Sequence, residues 1–234
     1  MCASGTSLFG YHDMVVEMRA KGSQDPTPTP RHEIGRARLH GRLSLMEARD
    51  LQRMSIAEYI ALDRSSDEKW EYVNGEAFAM SGASPRHNAV SVNILKSILK
   101  QISGPCFPLH DGQKVETETT GSFHYPDISI VCGKPRYGTD RHALTNPSVL
   151  FEILSPSTGD YDRGAKFDHY RTIPELREYV IVFVETRRVE HRKRLDDGRW
   201  LLTDHIGGDV PIEVANISLS FDEIYENLER VDEA

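Results

Sequence analysis

Apolar positions along the chain fall into short runs, and their spacing changes along it. Ser55, with Glu58 three residues on, has the form of a capping box and opens a short helix to Leu62 with Ile56, Tyr59, Ile60 and Leu62 turned inward. Trp70–Val73 and Glu76–Met80 flank Asn74-Gly75, the dipeptide of a two-residue hairpin turn whose central residues both need positive φ. From Ser84-Pro85-Arg86-His87 onward, Val90, Ile94, Leu95, Ile98 and Ile102 recur at helical spacing and predict a helix with one apolar face. Gly104-Pro105 stops it.

Strand-like runs then dominate. Cys106–His110, Gln113–Glu118, the run opening at Asp127, Val149–Leu154, Val189–Leu195, Trp200–His205 and Val210–Val214 are short, β-branched and bounded by turn residues. Thr119–Phe123 reads as a turn, and Asp197-Gly198 as a hairpin turn. Tyr179–Val184 is the most apolar run and predicts a central strand covered on both faces. Asp162–Ile173 reads as one helix ended by Pro174, and Phe221–Leu228 as a short closing helix. The expected class is α/β: a mixed β-sheet flanked by helices, an N-terminal helix on one face and the Lys166 helix on the other. The strands of Asp127 and Glu152 should lie side by side at one edge of that sheet.

Residues 1–50 depart from this pattern. Lys21–Arg31 is polar and carries Pro26, Pro28 and Pro30, the composition of a tail or linker. The expectation is a disordered N-terminal extension over 1–50, or a start codon assigned too early, ahead of a domain over 51–230. Leu43–Met54 is read as a helix leading into that domain. The chain of 234 residues suits one large domain with a tail. No run of 18 apolar residues is present, so no spanning helix is expected. The N-terminus lacks a secretory pattern. Cys2, Cys106 and Cys132 are widely spaced and odd in number, which predicts neither a disulfide framework nor a zinc site and suits a reducing, cytoplasmic setting. The net charge of −8 argues against broad non-specific nucleic-acid binding, but not against a local basic groove.

The candidate chemistry lies between Tyr125 and Tyr170. Asp127 and Glu152 each sit within an apolar run, where an ionised carboxylate is costly unless it is paired or holds a metal. Lys166 follows on a helix. Carboxylates and water suit a hard cation such as Mg²⁺, with Mn²⁺ as the alternative. Such an ion polarises a phosphoryl group and lowers the pKa of its bound water, and a nearby lysine can offset transition-state charge. Asp127 and Glu152 are therefore the metal-ligand candidates, with Lys166 facing the phosphate or the water. Lys166 and Asp162 are four residues apart, so the simpler reading is a surface ion pair of little worth.

Pro126-Asp127, Glu152 on a later strand and then Lys166 resemble the PD-(D/E)XK nuclease superfamily. There the lysine usually lies two residues after the second acid. That position is Leu154 here, so the lysine is displaced to the next helix. More closely, the chain resembles the Uma-two family of putative restriction endonucleases. The resemblance is carried by Tyr72-Val73-Asn74-Gly75-Glu76, Ser84-Pro85-Arg86-His87-Asn88, Tyr125-Pro126-Asp127, Glu152-Ile153-Leu154-Ser155-Pro156-Ser157-Thr158 and Asp162-Arg163-Gly164-Ala165-Lys166. It extends from about Met54 to about Leu228. It implies a restriction-endonuclease-like fold and an early glutamate in the acidic site: Glu71, with Glu76 the weaker candidate and an exposed strand acid the alternative. His87 occupies a matching position in a helix's first turn, where it would meet a phosphate, a water or a carboxylate; otherwise it is structural. Arg86, Arg163 and Tyr170 are further candidates for phosphate contacts or support of the acids.

Two basic stretches admit two readings each. Lys134, Arg136 and Arg141 lie in a long, mobile-looking loop that either clamps nucleic acid or simply connects. Arg187, Arg188, Arg192, Lys193 and Arg194 either face nucleic acid or guard an edge strand against aggregation. The function expected is Mg²⁺-dependent hydrolysis of DNA phosphodiester bonds, with dimerisation a means of cutting both strands. The alternatives are an inactive nucleic-acid-binding or regulatory module on a nuclease fold, and a structural domain whose acids pair with Lys166 and Arg163.

Overall fold

The computed structural model describes residues 53–80, 82–154 and 159–232. The extension expected over 1–50 and all but the end of the Leu43–Met54 helix lie outside them. Helix α1 (Ile56–Ser65) starts at the capping box, with Ser55 and Glu58 bonding reciprocally. Strands β1 (Trp70–Val73) and β2 (Glu76–Ala79) form the expected hairpin, with Asn74 and Gly75 both at positive φ. They join β4 (Val115–Thr117) and β5 (Ser122–His124) in a four-stranded sheet of order β2-β1-β5-β4. Tyr59 of α1 stacks on Tyr72 and meets Phe123 at a tilt in the core of this sheet.

The larger sheet has six strands: β3 (Cys106–His110), β6 (Ile128–Cys132), β7 (Val149–Leu154), β8 (Glu178–Phe183), β9 (Arg188–Arg194) and β10 (Trp200–Ile206), in the order β10-β9-β8-β7-β6-β3. Among the described residues only the β7–β8 pair of this sheet is parallel, so the sheet is mixed as expected. Helix α2 (Pro85–Gln101), capped by Ser84, lays Val90, Ile94 and Ile98 on one face against Ile128, Phe151 and Val180. The hairpin of β11 (Ile212–Val214) and β12 (Ile217–Leu219) and helix α5 (Phe221–Ile224) share that face, and helix α6 (Glu229–Asp232) follows. Leu150, Leu154, Tyr179 and Ile181 point to the other face and meet Tyr170 and Ile173. The alternation of side chains along β7 and β8 thus builds two cores, one on each side.

Several expectations are corrected. Thr119–Phe123 is not simply a turn, because Ser122–His124 pair with β4 and β1. The helix read as Asp162–Ile173 is two short pieces, α3 (Gly159–Arg163) and α4 (Ala165–Tyr170), separated at Gly164, whose φ and ψ of −111° and −92° are not helical. The Asp127 and Glu152 segments do adjoin, but not at an edge: β6 lies between β3 and β7. Loop 133–148 is packed, with Ala143 and Leu144 buried and Asp140 tied to Arg64 and Lys114. Cys106 and Cys132 form a disulfide, because the β3–β6 register sets them directly opposite each other. The unpaired cysteines that suggested a reducing compartment therefore lose that force. Among the described residues no helix is long and apolar enough to cross a membrane.

Glu178, buried at the start of β8, fastens two parts of the fold. It pairs with His191 Nε2 at 2.7 Å and accepts the Ala215 N–H of the β11–β12 turn at 3.2 Å. Burial alone would push its carboxyl up; His191, the Ala215 N–H and Lys193 together hold it below the usual range. A depressed carboxyl pKa adds stability above the unfolded value, and this is lost as pH falls through the folded one. Glu178→Gln is expected to lower the urea midpoint at neutral pH, with the deficit relative to wild type shrinking below about pH 4.5.

Candidate active site

The site forms where the smaller sheet meets β6, β7 and α4. Asp127 lies just before β6 and is locked to the backbone on both sides of Glu152. Its N–H donates to Phe151 C=O at 3.1 Å, and its Oδ2 accepts the Ile153 N–H at 2.7 Å. That bracket places the two carboxylates beside each other. His87, in the first turn of α2, sets its Nε2 3.2 Å from Asp127 Oδ1. Burial would push the His87 imidazole down, but the Asp127 hydrogen bond and charge outweigh it and hold the pKa up.

Lys166 is the centre of the cluster. Its side chain is 5% exposed, and Nζ lies 3.0 Å from Glu71 Oε1, 3.0 Å from Glu152 Oε1 and 3.4 Å from Asp162 Oδ1. The surface-pair reading of Lys166 and Asp162 is therefore wrong: both are buried. Burial alone would depress the ammonium, and Glu152 followed by Glu71 drives it well above its ordinary value instead. Glu152 moves up too. Burial is the largest cause, Lys166 opposes it, and Asp162, Asp127 and Glu71 add repulsion. Tyr170 donates its hydroxyl to Glu152 Oε1 at 3.1 Å, so a phenol as well as an ammonium holds that oxygen.

Glu71 belongs to this site rather than to an exposed strand face. It sits on β1, buried, and accepts the Tyr125 N–H at 3.1 Å. Glu76 is exposed and has no part in the cluster. All five residues singled out by sequence (Asp127, Glu152, Lys166, Glu71 and His87) thus converge, although Glu71 comes from the other sheet. Asp162 was underrated. Tyr161 and His124 were missed altogether: the Tyr161 hydroxyl lies 3.2 Å from Nε2 of fully buried His124. Burial, with Glu71 next, raises the Tyr161 phenol to about 12. The one available signal was the position of His124, directly before Tyr125-Pro126-Asp127.

Arg86 is engaged by Asp232 and by the carbonyl of Val184. Arg136 pairs with Glu175, which suits the connector reading of its loop. Arg187 pairs with Asp222, and Arg194 lies over Trp200.

The oxygen donors gathered here are of the type that a small hard cation takes. Three carboxylates, Glu71, Glu152 and Asp162, surround one ammonium with Asp127 beside Glu152, and the repulsion of Asp162, Asp127 and Glu71 adds to the burial that raises Glu152. Among the described residues no three His, Cys, Asp or Glu side chains form a ready-made cage. Mg²⁺ needs only one or two protein carboxylates and keeps several waters.

The model of the Uma2 family, described as "Putative restriction endonuclease", matches residues 56–222. Two uncharacterized proteins of Synechocystis sp. are similar. One is 32% identical over 68% of this chain and 92% of its own length, the other 33% identical over 75% and 93%. The crystal structure of a "putative nuclease belonging to DUF820" from Anabaena variabilis superposes with a TM-score of 0.58 at 14% identity, covering 74% of this chain and 97% of its own, a likeness of fold.

Lys166→Met would leave three buried carboxylates facing one another. Loss of about 3–5 kcal/mol is expected for breaking such a buried cluster, read from denaturant unfolding at neutral pH. The loss should shrink on acidification, because a protonated Glu152 relieves the repulsion. The chain belongs to the Uma2 family and gathers Glu71, Glu152, Asp162 and Lys166 into one buried cluster, with Asp127 beside it.

Proposed function

We propose that the chain is a metal-dependent endonuclease that hydrolyses phosphodiester bonds of DNA. The observation that carries this reading is the interlock of Asp127 with the backbone on either side of Glu152, beside Lys166. The family and the nuclease-like fold support it.

Asp127 and Glu152 would hold Mg²⁺, with Mn²⁺ the alternative. When bound, the ion supplies polarisation of a phosphoryl oxygen and a more acidic water. Lys166 keeps a fixed positive charge that offsets the charge developing on phosphoryl oxygens, and Glu71 and Asp162 hold its Nζ in place. His87 orients Asp127 and carries a proton at Nε2. Tyr170 fixes the rotamer of Glu152. A dimer would bring two such sites to two strands.

One observation favours a second reading. Among the described residues, the ion-pair contacts of Lys166 all go to carboxylates of the cluster itself, as they would in an inactive binding module. Cleavage of supercoiled plasmid with Mg²⁺, Mn²⁺ or EDTA separates the two. Metal-dependent nicking is expected, reduced by about 10²–10³-fold in Asp127→Asn and in Lys166→Ala, the scale for losing one stabilising group. Nicking equal in both variants and wild type would sink the mechanism. His87→Asn is expected to keep partial activity and to change the pH profile, because the raised His87 pKa is removed.

A further inference from the structure

A chain with a net charge of −8 needs a local device to hold a polyanion. One is built at the carboxyl end of β8, beside the acidic cluster. Glu190 of β9 is 2% exposed, and its Oε1 lies 2.8 Å from Nη2 of Arg163 and 2.8 Å from Nη2 of Arg188. Both guanidinium groups also lie over the Phe183 ring, at 5.9 Å and 4.6 Å from its centroid. Arg188 is fixed again by Asp204 through two hydrogen bonds of 2.8 Å and 3.1 Å. Arg192 completes the group. It donates to Arg163 C=O at 2.7 Å, lies 3.6 Å from Glu190 Oε2 and stacks on Phe167. Three arginines thus meet two carboxylates, leaving one positive charge in excess.

A buried glutamate needs one guanidinium to balance its charge. This arrangement supplies more, and leaves the outermost, Arg163, 42% exposed at its side chain. A guanidinium offers five donors in a rigid fork that matches a phosphate. Held by a carboxylate on one edge and an aromatic ring on one face, it loses little further freedom on binding.

Its position suits the chemistry. Phe183 pairs in register with Leu154, two residues beyond the Glu152–Ile181 pair. Two residues of strand rise and one strand spacing put the Cα atoms of Phe183 and Glu152 about 8 Å apart. Arg163 also directly follows Asp162, which faces Lys166. Ligands commonly bind beyond the carboxyl ends of parallel strands, and β7 and β8 are the parallel pair.

We propose that Arg163 and Arg188, mounted on Glu190 and Phe183, form a phosphate subsite that grips the nucleic-acid strand next to the bond to be cut. The proposal rests on the reading of the chain as a nuclease. It assigns Arg163 as the contact residue, Arg188 as its partner and Glu190 as the positioning residue.

The test is equilibrium binding of fluorescent single- and double-stranded oligonucleotides to the full chain, in EDTA so that nothing turns over. Arg163→Gln is compared with Arg199→Gln, which removes the same charge from an exposed turn where Arg199 pairs with Asp197. Arg163→Gln should weaken binding several-fold and flatten the slope of log K against log[salt] by about 0.7–0.9, the loss of one phosphate contact. Arg163→Lys should restore most of the slope, and Arg199→Gln should keep the wild-type slope. Thermal melting of each variant reports a purely structural role: a lower Tm with an unchanged slope would overturn the subsite. So would Arg163→Gln and Arg199→Gln behaving alike, or no binding of any oligonucleotide by wild type. Arg163-dependent binding of inorganic phosphate without binding of oligonucleotide would assign a free-phosphate site and overturn the strand reading. Plasmid cleavage is scored separately. Arg163-dependent binding without cleavage keeps the subsite and rejects the nuclease, and cleavage with an unchanged slope does the reverse.

Discussion

One buried ammonium lets the rest of the site exist. Lys166 sits among Glu71, Glu152 and Asp162, with Asp127 adjacent to Glu152. Burying a carboxylate costs several kcal/mol unless it is compensated, and here a single cation serves three. That imbalance raises Lys166 against its burial, through Glu152 and then Glu71, and adds to the burial that raises Glu152. It also explains the supporting hydrogen bonds. Tyr170 on Glu152, the Tyr125 amide on Glu71 and the Ile153 amide on Asp127 each offset part of the desolvation.

The architecture follows from what this cluster requires. The larger sheet places Asp127 and Glu152 on neighbouring segments, and the smaller sheet brings Glu71 from the other side. Gly164 separates α3 from α4, yet Asp162 and Lys166 still meet across the break. The lysine comes from a helix rather than from the strand after Glu152. Leu154, two residues after Glu152 on the strand, packs into the apolar core with Tyr170 and Tyr179. A charge at Leu154 would have faced that core, and a helix packed on the same sheet face supplies it instead.

Most of the larger sheet was legible in the sequence because its strands are short apolar runs punctuated by Gly, Pro and Asp. The Asn74-Gly75 turn, the Ser55 and Ser84 caps and the apolar stripe of α2 were legible for the same local reasons. Ser122–His124 was not, since a three-residue strand next to a Gly has no periodicity to read. Nor was the split between two sheets, which depends on register between distant segments. At the site, Asp127, Glu152 and Lys166 stood out as charges among apolar or motif residues. Asp162 was misjudged, because helical spacing reveals a pair but not its burial. The pairing of Cys106 with Cys132 was hidden for a related reason: residues 26 apart in sequence become neighbours only through the β3–β6 register. The arginines of β9 looked like a simple basic strip, whereas Glu190 and Asp204 divide it into fixed and exposed members.

We propose that the carboxylates around Lys166 are a seat for one divalent cation, held by Asp127 and Glu152. Titration of the nucleic-acid-free chain with Mn²⁺, read by the loss of the free-ion electron paramagnetic resonance signal, tests it most directly. One bound ion per chain is expected, competed by Mg²⁺ and lost in both Asp127→Asn and Glu152→Gln, with Arg199→Gln unchanged. Absence of Mn²⁺ binding, or binding that neither carboxylate substitution alters, would contradict it.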